Sequence, residues 1–493
     1  MNASTIKGNR DNRSAWNEVT IPFVERLGEM VGADGVVVNT RALATYECDG
    51  YTLEKSVPEV VVLPRSTQET AAVVSFLHEE NIAFVPRGAG TGLSGGCLPV
   101  EAPVMIGTSR LNTIKHIDLT NRYVVAEAGV VNLWVSNAVK NDGLHYAPDP
   151  SSQQACTIGG NVAENSGGPH TLKYGVTTNH VLGLELVLPD GEVVTLGGAV
   201  EDVPGYDLRG VTIGAEGTFG LVTEATLRLT RQPQAYRTFL GVFESVHQAT
   251  QTVSDIIAAG IVPAALEMMD RLIIQAVEAA FHFGFPTDAG AVLIIELDGL
   301  EAGLEPQTRK ILDICQHNSA REVRVAADDA ERTALWTSRK RAFGAVGRLA
   351  PNYCTQDGVV PRTKVADILR TIAAVAEKYN LRIANVFHAG DGNIHPILMY
   401  DERNPGEAER VVQAGQEILK ACVDLGGSLT GEHGIGVEKR GQMPLIFSPE
   451  DLLCMTELRA VFNPDNRCNP HKIIPTPGTG CIDVRAPRRQ VPL

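Results

Sequence analysis

Five glycines crowd into the eleven residues Pro86-Arg87-Gly88-Ala89-Gly90-Thr91-Gly92-Leu93-Ser94-Gly95-Gly96, and no other stretch limits the fold as tightly. Glycine weakens helices and strands, so this run is a loop, and it follows the strand-like segment Ile82–Pro86. Gly90, Gly92 and Gly95 satisfy the G-x-G-x-x-G spacing of a dinucleotide-binding Rossmann turn. That turn must open a helix whose N-terminus receives the pyrophosphate. Here the continuation is Cys97-Leu98-Pro99-Val100-Glu101-Ala102-Pro103, and two prolines argue against a helix. The expected device is instead a nest of consecutive backbone N–H groups that takes phosphate oxygens, with the hydroxyls of Thr91 and Ser94 beside it. A purely structural turn is the lesser reading.

Two more stretches of the same character precede residue 230. The first holds Asp149, Pro150 and Ser151, then Thr157, Gly159, Gly160, Asn161, Asn165, Gly167 and Gly168, and runs on to Tyr174 and Gly175. The second holds Glu216, Gly217 and Gly220. Glycine permits close approach of backbone to a ligand, so three stretches suggest one long ligand, with a dinucleotide of suitable size and polarity.

The chain of 493 residues has length for two to four domains, and 44% hydrophobic with 20% charged residues is ordinary for a globular protein. The net charge of −15 disfavours nucleic acid and anionic membrane. The basic cluster Arg485, Arg488 and Arg489 reads as a solvated tail. Nine cysteines are scattered without C-x-x-C spacing, which argues against a disulfide framework or an iron–sulfur cluster. They fit a reducing compartment. Met1–Arg13 has no apolar core of a signal peptide, and no apolar run is long enough to span a membrane, so the expected location is cytoplasmic.

Periodicity predicts a helix around Trp16–Met30, an extended segment Gly35–Val38, a strand Val57–Pro64 and a helix Gln68–Asn81 capped by Thr67. Strands are expected at Val104–Gly107, Tyr123–Ala128, Leu182–Leu188, Glu192–Thr195 and Leu221–Leu229, with Pro189-Asp190-Gly191 as a hairpin turn and Asn132–Asn141 as one short helix. A composition shift at Arg231-Gln232-Pro233 suggests a boundary. Beyond it, helices are expected at Val246–Ala259, Arg271–Ala280, Glu305–His317, Ala327–Leu349, Val365–Tyr379 and Glu407–Leu425. Strands are expected at Ala291–Leu297, Ile383–His388 and Ile394–Met399. The expected division is an N-terminal extension 1–54, a first domain 55–232, a second domain 233–475 and a tail 476–493.

The second half carries Phe387-His388-Ala389-Gly390-Asp391-Gly392-Asn393-Ile394-His395-Pro396. A hairpin turning at Gly390–Asn393 would bring His388 and His395 face to face. Two such imidazoles can share a metal or simply hydrogen-bond, and the pair alone leaves both readings open. The stretch Gly431-Glu432-His433-Gly434-Ile435-Gly436 adds a carboxylate and a third imidazole. Neighbouring side chains in an extended loop point opposite ways, so either Glu432 or His433 could face a metal. His388, His395 and Glu432 form a two-imidazole, one-carboxylate set suited to zinc, manganese or ferrous iron.

The loop 86–96, the Thr157-Ile158-Gly159-Gly160-Asn161 stretch and Glu216-Gly217-Thr218-Phe219-Gly220 resemble the FAD-binding domain of the vanillyl-alcohol oxidase, or PCMH-type, flavoproteins. The segment from Asn469 to Ile473 resembles the family's N-P-G-K-[IV] ending, with His471 in place of glycine. The resemblance implies an α+β fold: a PCMH-type FAD-binding domain of two α/β subdomains, and an α+β cap domain with an antiparallel sheet. It implies FAD lying along the three glycine-rich stretches. Members that bond FAD covalently use a His in the first loop; none stands between Pro86 and Gly96, so FAD is expected to be non-covalent.

The two histidine motifs resemble the 2-hydroxyacid dehydrogenase branch of that family, over roughly residues 40–475. The resemblance implies a divalent metal, zinc first, on His388, His395 and Glu432, with His433 as catalytic base. The Trp336-Thr337-Ser338-Arg339 segment matches one whose Arg contacts the substrate carboxylate, and Asn393 is a further candidate for touching substrate. D-2-hydroxyglutarate dehydrogenases carry a Thr and a Lys where Phe343 and Thr355 stand here, which favours a small monocarboxylic acid. The implied reaction is metal-assisted hydride transfer from glycolate or D-lactate to flavin N5, giving the 2-keto acid, with D-2-hydroxyglutarate as the runner-up substrate. A non-catalytic flavin-binding accessory subunit is a more distant reading. Electrons must leave to an external acceptor, for which an iron–sulfur partner subunit is the first candidate. Peripheral membrane association through a partner and a homodimer are compatible with the sequence.

Overall fold

The computed structural model describes residues 20–201 and 204–475. The expected tail 476–493, its arginine cluster and the start of the Trp16 helix lie outside the described residues. The helix itself runs Ile21–Val31, with the Thr20 hydroxyl accepting from Phe23 N.

A four-stranded sheet opens the fold. Val60–Val62, Val104–Gly107 and Phe84–Arg87 run parallel, and the short strand Val36–Val37 joins antiparallel at one edge. All three valines of Val60–Val62 are buried, as parallel strands covered on both faces require. The covering helix is Thr67–Glu79, whose N-cap is Ser66 rather than Thr67. The Ser66 hydroxyl accepts from Glu69 N at 3.1 Å, and the Thr67 hydroxyl is turned instead to Glu185. No helix follows the first glycine loop; residues 97–103 are irregular until the strand at Val104.

An antiparallel five-stranded sheet follows, in the order Ile114–Asp118, Tyr123–Glu127, Leu221–Arg228, Val181–Val187, Val193–Gly197. The Pro189-Asp190-Gly191 turn joins its last two strands, with Gly191 at φ 93°. The second glycine-rich stretch holds a helix not anticipated from sequence, Ile158–Glu164. Two adjacent glycines disguise it, but Thr157 caps it and Asn165 ends it in the left-handed region.

The second half is built on nine antiparallel strands. Its spine is Glu322–Val325, Ala235–Phe243, Ala291–Gly299, Ala265–Asp270 and Arg382–His388, with Asn393–Ile394, Gly358–Val359, Pro396–Tyr400 and Asn352–Thr355 at one end. Ala235–Phe243, Ala265–Asp270 and Glu322–Val325 were not legible beforehand. The first two are apolar through much of their length because both faces are covered, so they lack the alternation that marks a half-exposed strand. Side chains alternate between two cores. Phe239, Leu266, Met268, Leu293, Ile295, Ile383 and Phe387 pack under helices Val246–Ala258, Glu301–His317, Val365–Tyr379 and Glu407–Asp424. Leu240, Met269, Val292, Ile294, Ala384 and Val386 pack under Arg271–Phe281, Asp329–Lys340 and Ala342–Val346. The expected single helix 327–349 is thus two, parted at Arg341.

A final helix, Pro449–Phe462, leads the chain back to the first sheet. Phe84 N donates to Arg467 O, and Asn469 N to Phe84 O, laying residues 467–469 beside the strand that feeds the glycine loop.

Candidate active site

A cavity of about 380 Å³ runs between the two halves. One side is backbone from all three glycine-rich stretches: Pro86, Arg87, Gly88, Ala89, Gly90, Thr91, Gly92 and Leu93; Pro150, Ser151, Thr157, Gly159, Gly160 and Asn161; Glu216, Gly217 and Gly220. A Cβ on Gly88 would stand 2.6 Å from Thr157 Oγ1, so glycine there lets the first stretch press on the second. Asn469 also lines the cavity and ties the stretches together, its amide donating to Gly96 O at 2.8 Å and Glu216 O at 2.6 Å. The Asn469 Oδ1 is buried without a partner. An orphaned acceptor in a glycine-lined cavity of ligand size is what a dinucleotide with ring N–H groups would satisfy. The residues present fit FAD.

Seven residues expected along the cofactor do not line this cavity. Ser94 is fully buried and its carbonyl accepts from Val437 and Glu438. Asp149 turns its carboxylate to His170 Nδ1 at 2.8 Å. Asn165 caps the Ile158–Glu164 helix and accepts from Thr178 N. Tyr174 hydrogen-bonds Asp298, and Gly175 (φ 83°) ends the short helix Thr171–Tyr174. Gly167 and Gly168 line a separate small cavity. Each does structural work at the margin of a motif whose centre touches the cavity. Residues with no motif to announce them, such as Asp49 and Thr212, line it as well.

The far end of the cavity is His395, Glu432 and His433, with Phe343, Tyr353, Thr355 and Lys340 around them. His388 ends its strand and pairs with Asn393 across the turn. Its Nε2 lies 3.1 Å from Glu432 Oε1, and His395 Nε2 lies 3.5 Å from the same oxygen. One ligand atom from each of the three falls within 4.8 Å of the others. Asp357, His395 and His433 meet the same distance criterion, but Asp357 is already occupied. It accepts from the N–H groups of Gly431 and His433 at 3.0 Å and from the Thr430 hydroxyl, and pairs with Lys439 Nζ at 3.1 Å. His395, by contrast, is 2% exposed with neither ring nitrogen hydrogen-bonded, its Nε2 standing 3.6 Å from Asp357 Oδ1 and 3.5 Å from Glu432 Oε1. A buried imidazole left bare beside a carboxylate fits a cation held by His388, His395 and Glu432.

Glu267, on the strand Ala265–Asp270, supports this set. Its Oε1 lies 2.6 Å from His388 Nδ1, the carboxylate–histidine pairing that orients metal-binding imidazoles. Burial would raise the Glu267 carboxyl, but the charges of His388 and Arg339 prevail and hold it low. Burial opposes charging of His388, yet Glu267 and Glu432 push its pKa well above the ordinary value. The pocket therefore favours a positive occupant. Glu267 has no sequence signature; only the fold brings it to His388.

Arg339 is 1% exposed. Its Nε lies 2.7 Å from Glu267 Oε2, yet none of its three nitrogens makes a hydrogen bond. It sits behind Phe343, 5.8 Å from the ring centre, and does not itself line the cavity, whereas Lys340 does. Asn393 is also displaced from its expected place: it packs on Gly431 and lines the small separate cavity.

His433 stacks on His395 at 4.8 Å and 9°. Burial lowers its pKa to about 4, so the ring is neutral at pH 7 and able to take a proton. Glu432 faces the two histidines while both Glu432 and His433 border the cavity. Two carboxylates grip their loop. Asp357 holds its start, and Glu216 of the third glycine stretch accepts from Ile435 N and Gly436 N at 2.7 Å each.

Comparison with known proteins finds relatives of both halves. Residues 58–197 match the family described as FAD binding domain, and residues 232–473 match FAD linked oxidases, C-terminal domain. The glycolate oxidase subunit GlcD of Escherichia coli is 46% identical over 462 residues, covering 92% of this chain and 93% of that protein. A D-lactate dehydrogenase of Anaerostipes hadrus is 32% identical, covering 93% of this chain and 98% of that protein. The crystal structure of p-cresol methylhydroxylase superposes with a TM-score of 0.76 at 16% identity, covering 92% of this chain and 96% of that one, which shows the shared fold.

Proposed function

The chain belongs to the FAD-linked oxidases and is an FAD-dependent 2-hydroxyacid dehydrogenase; within that family we propose that it oxidises glycolate or D-lactate at a metal-assisted site. The observation that carries the reading is the end of the cavity, where His433, His395 and Glu432 share a wall with Phe343 and Thr355. Phe343 stands 6.4 Å from the His395 ring. Neither the Phe343 ring nor the Thr355 hydroxyl can pair with a second, distal carboxylate as a cation would, which favours a small monocarboxylic acid over 2-hydroxyglutarate even with Lys340 on the same wall.

FAD, when bound non-covalently along the glycine-rich stretches, supplies the hydride acceptor. A divalent cation on His388, His395 and Glu432 supplies Lewis acidity to the substrate hydroxyl. His433 is the general base, neutral at working pH, half-buried at the cavity wall and stacked on His395, where it can take the proton of the substrate hydroxyl. Arg339 is the group for the substrate carboxylate. Its Nε pairs with Glu267, which leaves the two terminal guanidinium nitrogens buried without a hydrogen bond, and a substrate carboxylate matches that fork. Glu267 positions both His388 and Arg339. Asn393 acts through Gly431, keeping the catalytic loop in place.

Electrons leave to an external acceptor. All eight cysteines among the described residues are free, no three of them form a cluster, and the glycolate oxidase relative is named as a subunit. This supports an iron–sulfur partner. Among the described residues no helix is long and apolar enough to cross a membrane, so any membrane association is assigned to that partner. The test is anaerobic bleaching of the bound flavin by glycolate, D-lactate, L-lactate and D-2-hydroxyglutarate, each with and without chelator. Bleaching by glycolate or D-lactate that chelator abolishes is the expected result. Bleaching by 2-hydroxyglutarate alone overturns the substrate reading, and indifference to chelator overturns the metal reading.

A further inference from the structure

The three residues read as metal ligands stand between two cavities. His395 and Glu432 border the cavity that fits FAD. His388 and Glu432 border a second, of about 200 Å³, whose other lining residues are not shared with the first. Gly167 and Gly168 form part of its wall, and a Cβ on Gly167 would stand 2.9 Å from Glu432 Oε2. Glycine there keeps the approach to that carboxylate clear. Along the same wall lie Asp391 and Asn393, and the Asn393 Oδ1 is buried with no partner. The rim meets solvent: Gly431 is exposed, and Thr171 and Val176 are half-buried.

We propose that the divalent cation enters and leaves through this second cavity and not through the flavin cavity. The inference rests on the reading of His388, His395 and Glu432 as the metal site. A hydrated cation must exchange its waters for protein oxygens before it reaches imidazole, and divalent cations of this kind accept carboxylate and amide oxygens on the way. Asp391 and the free Asn393 Oδ1 supply both, in a space that touches no residue of the loop 86–96. The flavin cavity offers a narrower choice, since bound FAD and substrate would obstruct the same approach to His395. Two access routes let cofactor and cation load in either order.

The experiment follows capture of zinc from the flavin-loaded protein by a chromogenic chelator. Wild-type protein is expected to release zinc at one rate whether FAD sites are full or partly empty. Val176→Trp, placed at the rim, is expected to slow release about tenfold, a modest rise in barrier, with zinc content and flavin absorbance unchanged. Val176→Ala is expected to release zinc faster than wild type. Thr171→Trp on the same rim repeats the test should Val176→Trp fold poorly. The proposal is overturned if FAD slows release while the rim variants exchange zinc at the wild-type rate. Failure of the underlying reading is distinct: wild-type protein would then hold no stoichiometric zinc, seen by elemental analysis before any rate is measured.

Discussion

Asp357→Asn isolates what holds the catalytic loop. The side chain keeps its shape but loses its charge, in a place where both Asp357 and Lys439 are fully buried. Removing one partner of a buried pair strands the other charge and costs about 3–5 kcal/mol. At about 2–4 °C per kcal/mol for a unit of some 150–250 residues, the unfolding midpoint should fall by roughly 6–20 °C. The amide also accepts less strongly from Gly431 N and His433 N, so Glu432 and His433 drift, and a misplacement of about 1 Å can cost about 100-fold in rate. The double variant Asp357→Asn with Lys439→Met removes the stranded charge. It should recover most of the stability and little of the turnover, because the backbone donors still lack their carboxylate. Thermal unfolding followed by tryptophan fluorescence, beside the rate of flavin bleaching, reads both effects. Burial would raise the Asp357 pKa, but Lys439, His433 and His395 hold it well below the usual 3.8. Its contribution is therefore complete above that usual value and lost as pH falls through the lowered one, and the variant should show a flatter acid limb. A midpoint within about 2 °C of wild type together with unchanged bleaching would sink the argument.

Other expectations are simpler to state. His433→Asn should bleach at least about 100-fold more slowly while binding FAD normally; in the wild type, bleaching should fall off in acid as pH drops toward the His433 value of about 4. Arg339→Lys and Lys340→Met separate the two cations near the substrate: a large rise in KM should follow the first and not the second, and the reverse would move the carboxylate to Lys340. Phe343→Thr with Thr355→Lys should shift preference toward D-2-hydroxyglutarate, measured as a ratio of kcat/KM, and no shift would remove these two positions from specificity.

Much of the flavin half could be read from glycine spacing, because backbone approach to a ligand demands glycine and leaves a local mark. The prolines at 99 and 103 were enough to exclude a Rossmann helix. The margins were harder to read: Asp149, Tyr174 and Gly175 share a motif with cavity residues, but Asp149 holds His170, Tyr174 reaches Asp298 of the second half and Gly175 ends a short helix. In the catalytic half the histidine motifs brought His388, His395, Glu432 and His433 to attention. Their supports were silent, since Glu267 and Asp357 are isolated acids whose meaning depends on strands pairing far along the chain. The same holds for Ala235–Phe243, which is covered on both faces and so has no polar side to betray it.

The return of the C-terminal segment has a consequence for biosynthesis. Asn469 closes the wall between the first and third glycine-rich stretches, and residues 467–469 run beside the strand that precedes the first. A nascent chain that has already exposed every glycine-rich motif therefore still lacks part of the cofactor's enclosure. FAD should be captured only after residue 469 has cleared the ribosome, so loading is a post-translational event, and a chain cut short near residue 460 should emerge colourless even though its flavin-binding sequence is whole.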